Sequence, residues 1–323
     1  MSHVTQYDGK GRLTPRLARP LATTPLWKRL ARTWELYLFV LPAVVHIFIF
    51  RYIPIYGLRI AFTDGFSLRA TAAPPEWNNF AHFIRFFNSA FFWTIVRNTI
   101  FISLYDLAMF PVPLALALMI NQARNRHFQR SVQMVSFAPY FISMVVVVSM
   151  LTVFLNPRNG VVNSIISLFG GEPIFFMGSP EWGPTLFVLS NVWQQAGYSA
   201  IIYIAALSGV DDSTKEAAFC DGAHKLQIIY HVELPWIAPT IAILFILRVG
   251  RLLEVGFEKL LLMQNNLNLE ALEIIDTYVY RTGILQAHYD YATAIGLLKT
   301  VVNFSILVAA NKMAKRLGQE SLW

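Results

Sequence analysis

Charge is scarce in this chain. Asp, Glu, Lys and Arg make up 14% of its 323 residues, against about 25% in an average soluble domain. Cysteine is scarcer still. Cys220 stands alone, so no intrachain disulfide and no thiolate metal cluster can form, and the sequence places no base beside it. No stretch matches the GxxxxGK[ST] phosphate loop, which excludes a self-contained ATPase. HExxH and GxSxG are missing too, and the scattered histidines share no useful spacing, so no catalytic residue and no metal site is expected. Internal repeats, low-complexity tracts and a separable soluble domain are likewise absent from the sequence.

What replaces charge is apolar surface. Hydrophobic residues account for 55% of the chain, mean hydropathy is +0.48, and the apolar residues gather into blocks. A block of about 20 such residues is what a helix needs to cross a bilayer. The sequence therefore predicts an all-α, polytopic membrane protein with six spans: Leu36–Phe62, Trp93–Ile120, Val132–Leu155, Pro184–Leu207, Ile237–Phe257 and Ala292–Ala310. Pro111 and Pro113 in the second span and Pro139 in the third predict kinks packed against neighbouring helices.

The net charge of +7 is placed to orient the protein rather than to bind nucleic acid. Lys10, Arg12, Arg16, Arg19, Lys28, Arg29 and Arg32 all precede the first span, and Arg124, Arg126 and Arg130 sit in a loop without acidic residues. Basic residues concentrate on the cytoplasmic side of inner-membrane proteins. The organisation that follows is a basic cytoplasmic segment (1–35), a transmembrane domain (36–311) and a short cytoplasmic tail (312–323) carrying Lys312, Lys315 and Arg316. Because residues 1–35 precede the first apolar block, that span is expected to be retained rather than cleaved as a signal peptide.

Between spans four and five lies a polar segment, 208–236, that should face the cytoplasm. Ser213 with Glu216 three residues on reads as a capping box, with Asp212 as the other possible cap. Ala217 and Ala218 favour helix, Gly222 permits a left-handed turn, and Leu234 and Pro235 lead into span five. The spacing of Glu216-Ala217-Ala218, three residues, Gly222, nine residues and Val232-x-Leu234-Pro235 resembles the coupling loop of permease subunits in bacterial ABC importers, with Val232 in place of Ile.

That resemblance implies a six-helix permease fold with a cytoplasmic coupling helix. Glu216 would meet a basic group on the ATPase, although it also has a local role as a helix cap. Ala217 and Ala218 would allow close approach, Gly222 would set the turn, and Leu234 and Pro235 complete the motif. The stretches FAPYFISMVVVVSM, NPRNGVVNSIISLFGG and VWQQAGYSAIIYIAALSGVDDSTKEAAFCDGA look like sugar and oligosaccharide permeases of this superfamily. The C-terminal stretch from Asp276 is similar to permeases for polysaccharide-derived or complex oligosaccharides, and the resemblance as a whole, over roughly Trp34 to Trp323, is most like the permeases of alginate importers, which implies a complex or acidic cargo. The implied partners are a second, homologous permease in a heterodimer, two ATP-binding subunits that carry the ATP and Mg, an external solute-binding protein, the oligosaccharide and membrane lipid. No cofactor is expected on this chain.

Polar residues inside the spans are the candidates for a translocation path. Arg248, Arg251 and Glu254 recur every three residues in span five, so they are expected on one drifting helical face. Arg251 and Glu254 are spaced to pair, while Arg248 lacks a partner on its own helix and is expected to face a cavity or another subunit. By resemblance span five lines the path, and a basic site there would favour an acidic sugar. An interhelical structural pair is the alternative. Asn191, Trp193, Gln194, Gln195 and Tyr198 in span four offer planar polar and aromatic surface suited to sugars, or ordinary interhelical glue. Asp106 and Lys299 are expected to compensate each other, and His46 to pack. A proton relay through Asp106 and Lys299 would instead mark an ion-coupled secondary transporter, and a scaffold docking a cytoplasmic partner through the polar loop is a third reading.

Overall fold

The computed structural model describes residues 33–64 and 76–316. The basic residues of the N-terminal segment up to Arg32 and the tail from 317 lie outside the described residues. Among the described residues, four helical stretches are long and apolar enough to cross a membrane: Trp34–Phe62, Phe92–Asn121, Lys225–Val249 and Tyr289–Arg316. A fifth, Arg126–Phe141 with Met144–Phe154, qualifies only as a pair bent by 100°.

The first unit of the chain ends at Gly57. Its helix α1 (Trp34–Ile47) holds Pro42 and passes through a π turn, Phe48–Tyr52, into Ile53–Gly57. None of these residues is buried, as suits a helix whose whole circumference is apolar. The second unit begins with a 3-10 turn, Leu58–Phe62, leading into a two-stranded ribbon. In the ribbon β1 (Thr63–Asp64) pairs antiparallel with β2 (Glu76–Trp77), Thr63 opposite Trp77.

Helix α2 (Ala81–Phe87) follows, and then the second span in two pieces, α3 (Phe92–Ala108) and α4 (Pro111–Asn121). The break falls where expected. Pro111 lacks an N–H and opens α4, a position where none is needed.

In the third span the kink expected at Pro139 is a full break. α5 (Arg126–Phe137) is capped by the Asn125 side chain, which accepts from the N–H groups of His127 and Phe128. A 3-10 turn, Ala138–Phe141, carries buried Pro139 into the bend, and α6 (Met144–Phe154) restarts from Ser143 as cap. The short helix α7 (Val161–Leu168) precedes α8 (Gly183–Leu207), whose 25 residues reach about 38 Å. α8 is long enough to span, but its Asn and Gln residues keep it out of the strongly apolar set.

After the exposed helix α9 (Asp212–Cys220), α10 (Lys225–Ile228) runs through a π turn, Ile229–Glu233, into α11 (Leu234–Val249). The helix of the fifth span thus begins at Lys225, before the expected Ile237, and ends at Val249, before the expected Phe257. The π turn lies immediately ahead of Leu234-Pro235, where Pro235 has no N–H to give. Short helices α12 (Phe257–Met263), α13 (Leu269–Leu272) and α14 (Ile275–Tyr280) lead to the last long helix, α15 (Tyr289–Arg316).

Packing follows the rules of helices in lipid. One buried cluster joins Ile102, Val148, Phe187, Val188, Leu260 and Leu272, and another joins Ala117, Ala200, Tyr203, Leu207 and Ile237. Large apolar side chains such as Phe39, Trp93, Val135 and Phe304 point outward, where a lipid-facing surface would place them. Gly197 marks the closest helix contact: a Cβ there would lie 2.1 Å from the Ser136 carbonyl oxygen, so only glycine lets α8 meet α5.

Candidate functional site

A cavity of about 600 Å³ lies among α3, α4, α6, α8, α11 and the turn into α12. Six acidic or basic side chains line it, three of each sign: Asp106, Glu254 and Glu258 against Arg248, Arg251 and Lys259. Asp106, on the last turn of α3, organises one wall. Its Oδ1 accepts from Asn191 Nδ2 at 2.7 Å, and its Oδ2 accepts from the Arg248 guanidinium. Gln195 Nε2 donates to Asn191 Oδ1 at 2.7 Å, which turns the Asn191 amide toward Asp106.

The expected pairing of Asp106 with Lys299 is therefore wrong. Asp106 meets Arg248, and Lys299 donates to Asp276 on α14. The geometry of an Asp106–Lys299 proton relay goes with it. The expected common face of Arg248, Arg251 and Glu254 is also corrected, because the helix stops at Val249. Gly250 caps it, residues 251–253 continue as a turn, and Glu254 stands in irregular backbone. Arg251 and Glu254 form no ion pair among the described residues. Both still line the cavity, as Arg248 does.

The polar cluster on α8 splits. Asn191 and Gln195, one helical turn apart, face the cavity together with Ser199 and Tyr203. Trp193 turns away into a second groove of about 480 Å³, beside Phe128, Val132 and Pro139. Gln194 is 2% exposed and donates to the Ile142 carbonyl at 2.8 Å, satisfying backbone freed by the break in the third span. Tyr198 stacks on Tyr140, with ring centroids 4.1 Å apart. Gln194 and Tyr198 are thus interhelical packing rather than cavity wall.

Lys259 was not predicted. It is 1% exposed, its Nζ has no hydrogen-bond partner, and it sits 5.8 Å from the Phe187 ring centroid. Burial pushes its ammonium down from 10.5 to about 8, against the pull of the Asp106 carboxylate. Gly256 makes this possible. At φ +35° it opens α12, and a Cβ there would lie 2.7 Å from Phe187 Cζ. The sequence gives no sign of this lysine because its surroundings come from α3 and α8, far away in the chain.

The polar segment between α8 and α11 is built differently, from neighbours in sequence. α9 is capped by Asp211, not Ser213 or Asp212. The Asp211 carboxylate accepts from the Ser213 N–H at 3.0 Å and from its hydroxyl at 2.8 Å. Those two bonds hold Asp211 below the ordinary carboxylate range. Ser213 lies inside the helix, so the capping box with Glu216 does not form; the sequence offered adjacent acidic caps, and the first one won. A capping box forms instead at α10, between His224 and Gln227.

Gly222 closes α9 at φ +83°, with Ala223 N–H reaching the Ala218 carbonyl and Gly222 N–H reaching Phe219. No residue of α9 is buried, and Glu216 and Ala217 stand exposed. Eleven residues after Gly222, Glu233 is 1% exposed and accepts from Asn121 Nδ2 at 2.8 Å and Gln122 Nε2 at 3.0 Å. Those amides end α4, so Glu233 ties the start of the fifth-span helix to the end of the second. Its position, the x of Val232-x-Leu234-Pro235, carried no signal in the sequence.

Residues 109–319 match the family described as binding-protein-dependent transport system inner membrane component. The chain is 40% identical over 289 residues to the polygalacturonan/rhamnogalacturonan transport system permease protein YteP of Bacillus subtilis, covering 89% of this chain and 90% of that one. It is 39% identical over 295 residues to Protein LplB of the same organism, covering 91% and 92%. Among solved structures, a chain of a bacterial alginate ABC transporter in complex with an alginate pentasaccharide-bound periplasmic protein is 37% identical, with a TM-score of 0.84 over 92% of this chain and 99% of that one. A second structure, of a bacterial ABC transporter that imports the acidic polysaccharide alginate, is 38% identical at the same TM-score.

Proposed function

The chain belongs to the binding-protein-dependent transport system inner membrane components, and on that premise we propose how its parts divide the work of import. It is a permease subunit of an ABC importer for oligosaccharides, a multi-pass protein of the inner membrane and not an enzyme; ATP hydrolysis belongs to separate subunits. Its likeness to alginate transporter chains supports an acidic, alginate-like oligosaccharide as the cargo.

Six crossings divide the chain into the cytoplasmic segment 1–35, the permease domain 36–311 and the tail 312–323, with α8 and the bent third span completing the set. Both termini and α9 face the cytoplasm, as the basic residues at Arg124–Arg130 and Lys312–Arg316 favour. The working assembly has a second, homologous permease, two ATP-binding subunits holding ATP and Mg, and a solute-binding protein that delivers the sugar.

One observation carries the coupling reading: α9 is exposed, and the helices on either side of it both reach the cavity. Asn191 and Gln195 stand on α8, and Arg248 stands at the far end of the Lys225–Val249 helix. When two ATP-binding subunits close, Glu216, Ala217 and Ala218 dock against them, and Gly222 with Leu234 and Pro235 passes the displacement to those two walls. Glu233 carries it on to α4, which lines the same cavity through Pro113. Asp106, Arg248, Arg251, Glu254 and Lys259 then meet the sugar or exclude it as the walls move.

Reconstitution with the ATPase subunits and a sugar-loaded binding protein tests this. Glu216→Ala should lose the stimulation of ATP hydrolysis by binding protein and the uptake with it. Unchanged uptake and unchanged ATPase association in that variant would remove the coupling assignment. Equal uptake of neutral and acidic oligosaccharides by the wild type would remove the acidic cargo.

A further inference from the structure

Outside the cavity, the fold brings together three residues that the sequence keeps far apart. Asp64 on β1, His82 on α2 and Asp290 in the first turn of α15 each offer one ligand atom, all within 4.8 Å of one another. His82 Nε2 is 3.2 Å from Asp64 Oδ1, 3.6 Å from Asp290 Oδ2 and 3.2 Å from the Thr63 carbonyl oxygen. Three oxygens thus converge on a ring nitrogen that carries at most one hydrogen.

The neighbouring groups leave the cluster open to a cation. Asp290 Oδ1 is taken by the Tyr291 N–H at 2.8 Å, which leaves Oδ2 toward His82. Asn78, 8% exposed, donates to Asp64 Oδ1 at 3.3 Å, while its own Oδ1 is buried without a partner. A buried acceptor left unmade is costly, and the amide that carries this one is held against the Asp64 carboxylate. Phe62, Trp77, Phe80 and Phe83 pack ring to ring around the turn and fix the backbone that presents Asn78 and His82.

We propose that Asp64, His82 and Asp290 form a site for a divalent cation of the zinc or manganese class, with the Asn78 amide as a fourth ligand once it turns over to put its oxygen where its nitrogen now meets Asp64. Ligands on a tetrahedral zinc stand about 3.4 Å apart given metal bonds near 2.1 Å, and the two His82 separations bracket that value. An imidazole among carboxylates suits a first-row transition ion better than calcium or magnesium. Asp64 is 60% exposed in its side chain, so the ion has a route in. Once bound, it offsets two carboxylates and ties the ribbon after the first span to the start of the last span, α15.

Metal content is the direct test. The full importer complex, purified with a tag free of histidine, is stripped with chelator, loaded with Zn²⁺ or Mn²⁺ alone, desalted and assayed for metal by mass spectrometry. Wild type should retain about one equivalent per chain more than Asp290→Asn, and its melting temperature should rise on loading while that of the variant does not. If Asp290→Asn does not assemble, Asp64→Asn, which alters the most exposed member, should show the same loss. Equal metal content in wild type and both variants, or no thermal response in wild type, overturns the site and leaves His82 in plain polar contact with two carboxylates.

Discussion

The polar segment 208–236 and the cavity are built by opposite means. In the segment the contacts that shape α9 and the turn after it join residues close in sequence: Asp211 to Ser213, Ala218 to Ala223, His224 to Gln227. In the cavity the contacts that join its walls are long-range: Asp106 to Arg248, Asp106 to Asn191, Lys259 above Phe187. The segment can keep its shape while it moves as a body. The cavity holds its shape only while the helices around it stay in register, so moving the helices remakes it. A device that converts docking into opening needs one part of each kind.

Glu233 is where the two designs meet, and it gives the largest expected effect. Glu233→Ala removes a buried acceptor of amide bonds from Asn121 and Gln122, each worth about 1.5–3 kcal/mol when one partner is charged. Uptake in proteoliposomes should fall by tenfold or more while α9 still binds the ATPase subunits. Wild-type uptake in the variant would mean that the segment acts without α4.

Lys259 sharpens the cavity side. A buried ammonium moved from 10.5 to about 8 costs the folded state about 3 kcal/mol at neutral pH. The unfolded chain holds that proton more tightly, so wild-type stability should rise as pH climbs from about 8 to 10.5. Lys259→Met should therefore be more stable than wild type at pH 7 in thermal unfolding, with the gap closing toward pH 10.5. The same variant should lose uptake of an acidic oligosaccharide relative to a neutral one. A variant that is less stable at pH 7 would show that Lys259 is held by a favourable contact instead.

The smallest effect belongs to the segment. Asp211→Ala should speed amide hydrogen exchange across Asp212–Cys220 by a few-fold, and Ser213→Ala should do so less, because Asp211 carries the cap. The reverse ranking would restore Ser213 as the cap.

The same contrast explains what the sequence made legible. Apolar blocks located the spans because crossing lipid demands them. The helix and turn of α9 could be read because capping and a left-handed Gly222 are local chemistry, although neighbouring acidic and hydroxyl residues competed for the cap. Asn191, Arg248, Arg251 and Glu254 stood out in the sequence as polar groups in apolar surroundings, and all four line the cavity. The sequence could not separate Asn191 and Gln195 from Trp193, Gln194 and Tyr198, since which side of α8 faces inward depends on α3 and α5. Pairings failed for the same reason: a helix that stops at Gly250 redirects every charge beyond it. Lys259, Glu233 and the Asp64–His82–Asp290 cluster gave no signal, because their partners lie in distant parts of the chain.

The balance of charge around the cavity, three cations against three anions, bears on how long a cargo dwells there. A wall that was wholly basic would grip a polyanion and release it slowly, so that tight capture would throttle turnover. On the path proposed above, with as many anions as cations along the wall, a charged sugar would meet a succession of shallow holds instead of one deep well, and the binding protein would be left to do the capturing. The permease would then serve as a corridor whose speed depends on letting go.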